Sequence, residues 1–142
     1  MTVRAILDLK GRDVVTITSD HTLAQAAERL SSYKIGALVV LAGERIVGIL
    51  SERDIVKAVA RSGAGVLESQ IAGTMTSAVT TCQPYDTIAE VMNRMTAGRF
   101  RHLPVIEDGR LAGIVSIGDV VKHRLAEIER ESSALREYIR TA

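Results

Sequence analysis

Two periodicities alternate along this chain, and the alternation occurs twice. Val14-Val-Thr-Ile-Thr is short and β-branched, which predicts a strand. Ser19-Asp-His-Thr supplies turn and cap chemistry, after which Leu23, Ala26, Ala27 and Leu30 recur at helical spacing. Tyr33-Lys-Ile-Gly breaks that helix. Ala37-Leu-Val-Val-Leu reads as a buried strand, Gly43-Glu as a two-residue turn and Arg45-Ile-Val-Gly-Ile-Leu as its hairpin partner. Ser51 or Glu52 then opens a helix through Ala60. From Val79 the order begins again. A strand is expected there, Pro84-Tyr-Asp-Thr starts a helix carrying Ile88, Val91, Met92 and Met95, and Leu103-Pro-Val-Ile pairs with Arg110–Val115 across Asp108-Gly109.

The two passes superimpose: Val14–Ala60 lies on Val79–Leu125 without a gap. The tightest match sets Gly48-Ile-Leu-Ser51-Glu-Arg-Asp54 on Gly113-Ile-Val-Ser116-Ile-Gly-Asp119. Each copy is a strand–helix–strand–strand–helix unit of roughly 50 residues, too small to bury an adequate core alone. The expected fold is therefore α+β, with two pseudo-symmetric units packed through their sheets. Residues 1–65 form the first repeat, 66–126 the second and 127–142 a C-terminal helical extension. Two copies are too few for a solenoid. Arg61-Ser-Gly-Ala-Gly is a flexible break, and Val66–Ile71 is expected as a short helix. In the extension, Val121, Leu125, Ile128, Leu135 and Ile139 follow steps of four and three if Ser132 fills one gap. That stripe suits packing on its own domain or a dimer seam.

Composition narrows the function. Of 142 residues, 46% are apolar and 25% charged, as in ordinary globular domains. A net charge of +1 offers no bulk electrostatic case for nucleic acid or an anionic membrane. The longest apolar run, Ile35–Ala42, is far short of the ~20 residues a spanning helix needs, and residues 1–9 hold no signal-peptide core. A cytoplasmic protein is expected. The lone Cys82 aligns with Ile17, which favours an inert buried thiol.

Chemistry concentrates in the duplicated Gly-x-x-Ser-x-x-Asp. Each copy sits where a strand ends and a helix begins, a place whose free N–H groups and dipole suit a phosphate. The Ser hydroxyl can donate to a phosphate oxygen, and the Asp can accept from both hydroxyls of a ribose. The glycine permits close approach of backbone or ligand. The same residues also read as simple helix caps, Ser at N-cap and Asp in the first turn.

The duplicated motif, Asp86-Thr-Ile, Arg99-Phe-Arg-His-Leu-Pro-Val and Thr74-Met-Thr together resemble a tandem pair of cystathionine-β-synthase (CBS) domains, a Bateman module, over about residues 1–126. The resemblance implies two clefts that bind adenosine-containing ligands: AMP, ADP, ATP, NAD(H) or S-adenosyl compounds. One cleft would use Ser51, Arg53 and Asp54, walled by Val79, Thr80, Arg101 and His102. The other would use Ser116 and Asp119, walled by Val14, Val15, Lys34, Ile35, Gly36 and Ala37. Arg53, Arg99, Arg101 and His102 give the Asp54 cleft more cationic potential, so it should take the more anionic ligand. Pro104 stands where the first copy has Val39, with little expected beyond a changed start to the strand.

His21 and His123 read as solvated. No Cys/His spacing suggests zinc, and no nucleophile elbow or Walker loop occurs. The expected protein is thus a non-catalytic sensor, homodimeric, that signals energy or redox state to an effector protein in trans. The competing reading is a structural dimerisation domain with vestigial clefts that works through its C-terminal helix.

Overall fold

In a computed structural model that describes residues 1–141, the chain is a mixed α/β protein with two small sheets. Its elements run α1 (Val3–Lys10), β1 (Thr16–Thr18), α2 (Leu23–Tyr33), β2 (Ala37–Ala42), β3 (Arg45–Ser51) and α3 (Glu52–Ser62). Two 3₁₀ turns, Ala64–Glu68 and Ile71–Gly73, lead to α4 (Ile88–Gly98), β4 (His102–Glu107), β5 (Arg110–Ser116) and α5 (Ile117–Thr141).

The helices start where cap chemistry dictates. Thr22 and Gln25 form a reciprocal capping box on α2, and Thr87 and Glu90 repeat it on α4. Both helices end on a non-glycine residue in the left-handed region, Lys34 at φ 54° and Arg99 at φ 57°. The β4–β5 turn has positive φ at both Asp108 and Gly109, the geometry an Asp-Gly hairpin favours.

In the first sheet, β1 runs parallel to β2 with Ile17 opposite Val40, and β2 pairs antiparallel with β3. The second sheet is only β4 and β5. The strand expected from Val79 does not form. A single parallel bridge remains, Cys82 to Val105, in the register that Ile17 and Val40 keep in the first copy. Prolines flank the surviving bridge on both sides. The pairing of Thr18 with Leu41 calls on the N–H of the next residue, Ser19, whose counterpart Pro84 has none. The substitution that looked harmless removes the other. Val39 donates its N–H to the Val15 carbonyl at 3.4 Å, whereas Pro104 at the same place has no N–H to offer.

The chain divides into two compact units. One comprises Met1–Arg12, Thr81–Glu107 and the chain from Ala112 onward; the other comprises Asp13–Thr80 with Asp108–Leu111. The N-terminal segment therefore packs with the second repeat. Val3, Ile6 and Leu7 are buried in one core with Ile88, Val91, Met95, Leu103 and Val120. In the other unit Ile71 is buried with Leu23, Leu30, Leu38 and Leu50.

A second symmetry explains this exchange. Ser69 accepts the Leu23 N–H at 2.9 Å and Ile71 donates to the His21 carbonyl at 2.9 Å. Likewise Met1 accepts the Ile88 N–H at 3.1 Å and Val3 donates to the Asp86 carbonyl at 2.9 Å. The stretch preceding each repeat closes the other repeat. The motif glycines make room for it. A Cβ on Gly48 would stand 2.5 Å from Met75 Sδ and 3.1 Å from the Thr76 carbonyl oxygen. A Cβ on Gly113 would stand 2.7 Å from Leu7 Cδ2.

Candidate functional site

Both copies of the motif adopt the same geometry. Ser51 is the N-cap of α3: its Oγ accepts the Asp54 N–H at 3.2 Å, and Asp54 Oδ2 accepts the Ser51 N–H at 2.9 Å. Ser116 and Asp119 repeat these contacts at the start of α5, at 3.2 Å and 2.9 Å. The capping role and a binding role are thus not rivals. The cap holds each carboxylate by Oδ2 and leaves Oδ1 without a hydrogen bond from any described residue.

The helix starts offer fewer free donors than the motif suggested. Glu52 gives its N–H to the Gly36 carbonyl at 3.0 Å, and Ile117 gives its own to the Arg101 carbonyl at 2.8 Å. With the N–H groups of Asp54 and Asp119 held by the caps, Arg53 and Gly118 carry the remaining first-turn donors. A ligand oxygen would therefore meet one backbone N–H plus the serine hydroxyl, whose own proton stays available.

The surroundings of the two carboxylates differ. Lys10, on α1, reaches Asp119 Oδ2 at 2.7 Å and also donates to the Ile114 carbonyl at 3.0 Å. Burial pushes the Asp119 carboxyl upward. The Lys10 hydrogen bond, the Ser116 N–H and the Lys10 charge outweigh it, so the group lies below the ordinary carboxylate value. Asp54 has no such lysine. It lines a hollow of about 310 Å³ with Lys57, Ala58, Arg61, Ser62, Val66, Gly73 and Thr74.

The expected site residues fall as follows. Ser51, Arg53, Asp54, Val79, Thr80, Val14, Val15 and Lys34–Ala37 belong to the unit built on the first repeat. Arg101, His102, Ser116 and Asp119 belong to the other. Arg53 and Arg101 are exposed, Ala37 is buried, and Val14, Val15, Val79, Thr80 and His102 are half-buried. Lys34, Ile35 and Gly36 line a larger hollow, about 590 Å³, together with Glu52, Ile55 and Val56 of α3. Lys10, Lys57 and Arg61 went unnoticed in the sequence. The latter two follow Asp54 at helical spacing, a readable signal, whereas Lys10 reaches Asp119 only through the fold.

Among the described residues no group of His, Cys, Asp and Glu is arranged to hold a metal ion. None of the described helices is long and apolar enough to cross a membrane.

Known proteins agree with this architecture. The family model for the CBS domain matches residues 6–61 and again 69–126. A CBS-domain containing protein of Agrobacterium tumefaciens is 52% identical, with a TM-score of 0.85 over 87% of this chain and 99% of that one. A CBS domain pair solved in complex with 5-methylthioadenosine and S-adenosyl-L-methionine is 27% identical, with a TM-score of 0.76 over 86% of this chain and 98% of that one. A CBS domain protein of Pyrobaculum aerophilum complexed with AMP is 26% identical, with a TM-score of 0.74 over 84% of this chain and 89% of that one. Duplicated repeat, twin Ser/Asp caps and family match converge: this chain is a member of the CBS domain family, carrying two copies.

Proposed function

We propose that this chain is a non-catalytic regulatory module that binds an adenine nucleotide at its Ser/Asp caps and reports occupancy to a protein partner in trans. The observation that carries the reading is the pair of pre-oriented carboxylates. Each is fixed by its own helix start, with one oxygen open to a ribose diol and a serine proton beside it for phosphate. The relatives solved with AMP and with S-adenosyl-L-methionine support an adenosine-containing ligand. AMP, ADP, ATP and NAD(H) are the candidates.

The two sites should differ in preference. Lys57 and Arg61 share the hollow that Asp54 lines, so phosphate charge is welcome there. At Asp119 a diol must share the carboxylate with Lys10. The Asp54 site therefore takes the more anionic ligand.

Isothermal titration and thermal melts with AMP, ATP, NADH and S-adenosylmethionine test the proposal. Ligand at a hundred times its Kd should add about 2.7 kcal/mol of stability by mass action. Asp54→Ala and Asp119→Ala together should remove that gain. Absence of heat with all four compounds sinks the reading.

A second reading, a dimerisation domain with vestigial sites, draws on the exposed apolar stripe of α5, where Leu125, Leu135 and Ile139 are each more than half exposed. Truncation after Leu125 separates the two. Under this alternative it abolishes association with the partner protein while nucleotide has no effect.

A further inference from the structure

The two leading segments match at first and then part. Val3 and Ile71 hold equivalent places, each donating to the carbonyl just before a helix cap, and Leu7 and Met75 each lie over a motif glycine. From Ile71 to Val79 is eight positions, whereas from Val3 to the matching Val14 is eleven. The first leader thus carries three extra residues, Asp8, Leu9 and Lys10, close to one helical turn. Immediately after Met75, Thr76 exchanges both backbone hydrogen bonds with Ile49, at 2.9 Å and 3.0 Å. After Leu7 the helix α1 continues instead to Gly11, where a φ of 99° and an N–H bond to the Leu7 carbonyl at 2.8 Å end it. Among the described residues, no such bridge forms at Ile114, the counterpart of Ile49. The Ile114 carbonyl takes the Lys10 ammonium at 3.0 Å, and the same ammonium reaches Asp119 Oδ2 at 2.7 Å.

We propose that the extra turn is a latch: Lys10 occupies the Asp119 site in place of a ligand's donors, and its release lets Asp8–Lys10 unwind and pair with β5 at Ile114. The trigger rests on the nucleotide reading above; the latch does not. The turn is easily released. Asp8, Leu9 and Lys10 are all exposed, Leu9 at 79%, so unwinding uncovers no core. Within the turn, the Asp8–Arg12 pair at 2.6 Å is about half exposed on both sides and worth little in water. A place for the unwound chain already exists, because the repeat sets at Ile114 the backbone groups that Ile49 gives to Thr76. Release also has a reach. Three residues passing from helix, at about 1.5 Å each, to strand, at about 3.3 Å, lengthen the segment by roughly 5 Å. That segment leads to Asp13, where the chain enters the other unit. Occupancy at Asp119 is thus read as slack in the connector. The Asp54 site has no such device, since the second leader lacks the turn.

Amide hydrogen exchange by NMR in an Asp54→Ala chain, where only the Asp119 site can respond, tests the latch. Lys10→Met without nucleotide should cut protection of the Gly11 N–H at least tenfold and raise that of the Ile114 N–H at least tenfold. Saturating AMP, added to the chain that keeps Lys10, should move both amides in the same directions. Deleting Asp8, Leu9 and Lys10 restores the spacing of the second leader. The Ile114 N–H should then be protected with or without AMP, while α4 keeps its native protection and so reports an intact fold. A Lys10→Met variant that leaves both amides unchanged, or AMP that binds by calorimetry without moving them, overturns the proposal. If AMP gives no heat, the nucleotide reading fails, and the latch stands or falls on Lys10→Met and the deletion.

Discussion

Asp54 and Asp119 make identical contacts with their own helix starts, yet only Asp119 also holds a lysine. Lys10 competes for the carboxylate that a diol would use. In an Asp54→Ala background, Lys10→Met should therefore raise adenosine affinity at the remaining site several-fold, read by titration calorimetry. The same contact sets a pH dependence. The folded pKa of Asp119 lies below its ordinary value of 3.8. Its stabilisation is thus complete above that value and lost as pH falls through the lower folded one. Asp119→Asn should cost about 0.3–1 kcal/mol at neutral pH, where it loses the negative charge that the start of α5 and Lys10 favour. The gap between variant and parent should close below about pH 4 in acid denaturation curves. At this scale the sequence showed the serines and aspartates plainly, because capping chemistry is local. Lys10 stayed hidden because nothing near it in the chain names its partner.

Elements carry constraints that single residues do not announce. Gly48 and Gly113 looked suited to ligand approach, but each faces the segment that closes its unit. Leu7 is buried in its core and has little room to yield. Gly113→Ala should cost about 1–3 kcal/mol through overpacking, measured by chemical denaturation. Gly48→Ala meets the flexible end of Met75 first and should cost less. The vestige of the second parallel strand offers a separate probe. Burial, reinforced by Asp86 and partly offset by Arg94, pushes the Cys82 thiol up to about 12. Iodoacetamide at pH 8 should leave native protein unmodified and label it only as the Cys82–Val105 bridge opens, which mass spectrometry would detect. Helices α2 to α5 were legible to within a few residues because periodicity and caps agree, whereas α1 was not read from the sequence. The missing strand was not legible, since its loss follows from two absent N–H groups, at Pro84 beside the segment and at Pro104 on a different strand.

For the whole molecule, the exchange of leading segments has a measurable consequence. Val3, Ile6 and Leu7 are almost wholly buried against the second repeat. Each such side chain contributes about 1.5–3 kcal/mol. Deleting residues 1–10 should therefore unfold the second-repeat unit at lower denaturant than the first. Hydrogen exchange should place the lost protection in α4 and β4–β5. Repeat order, helices α2 to α5, hairpin turns and the Ser/Asp caps were all determined by sequence, because each arises from residues within a few positions of one another. Tertiary structure decided which segment covers which repeat, why the motif glycines are needed, which carboxylate meets a lysine and which strand fails to form. Those outcomes depend on groups distant along the chain, and no local pattern encodes a partner that only packing supplies.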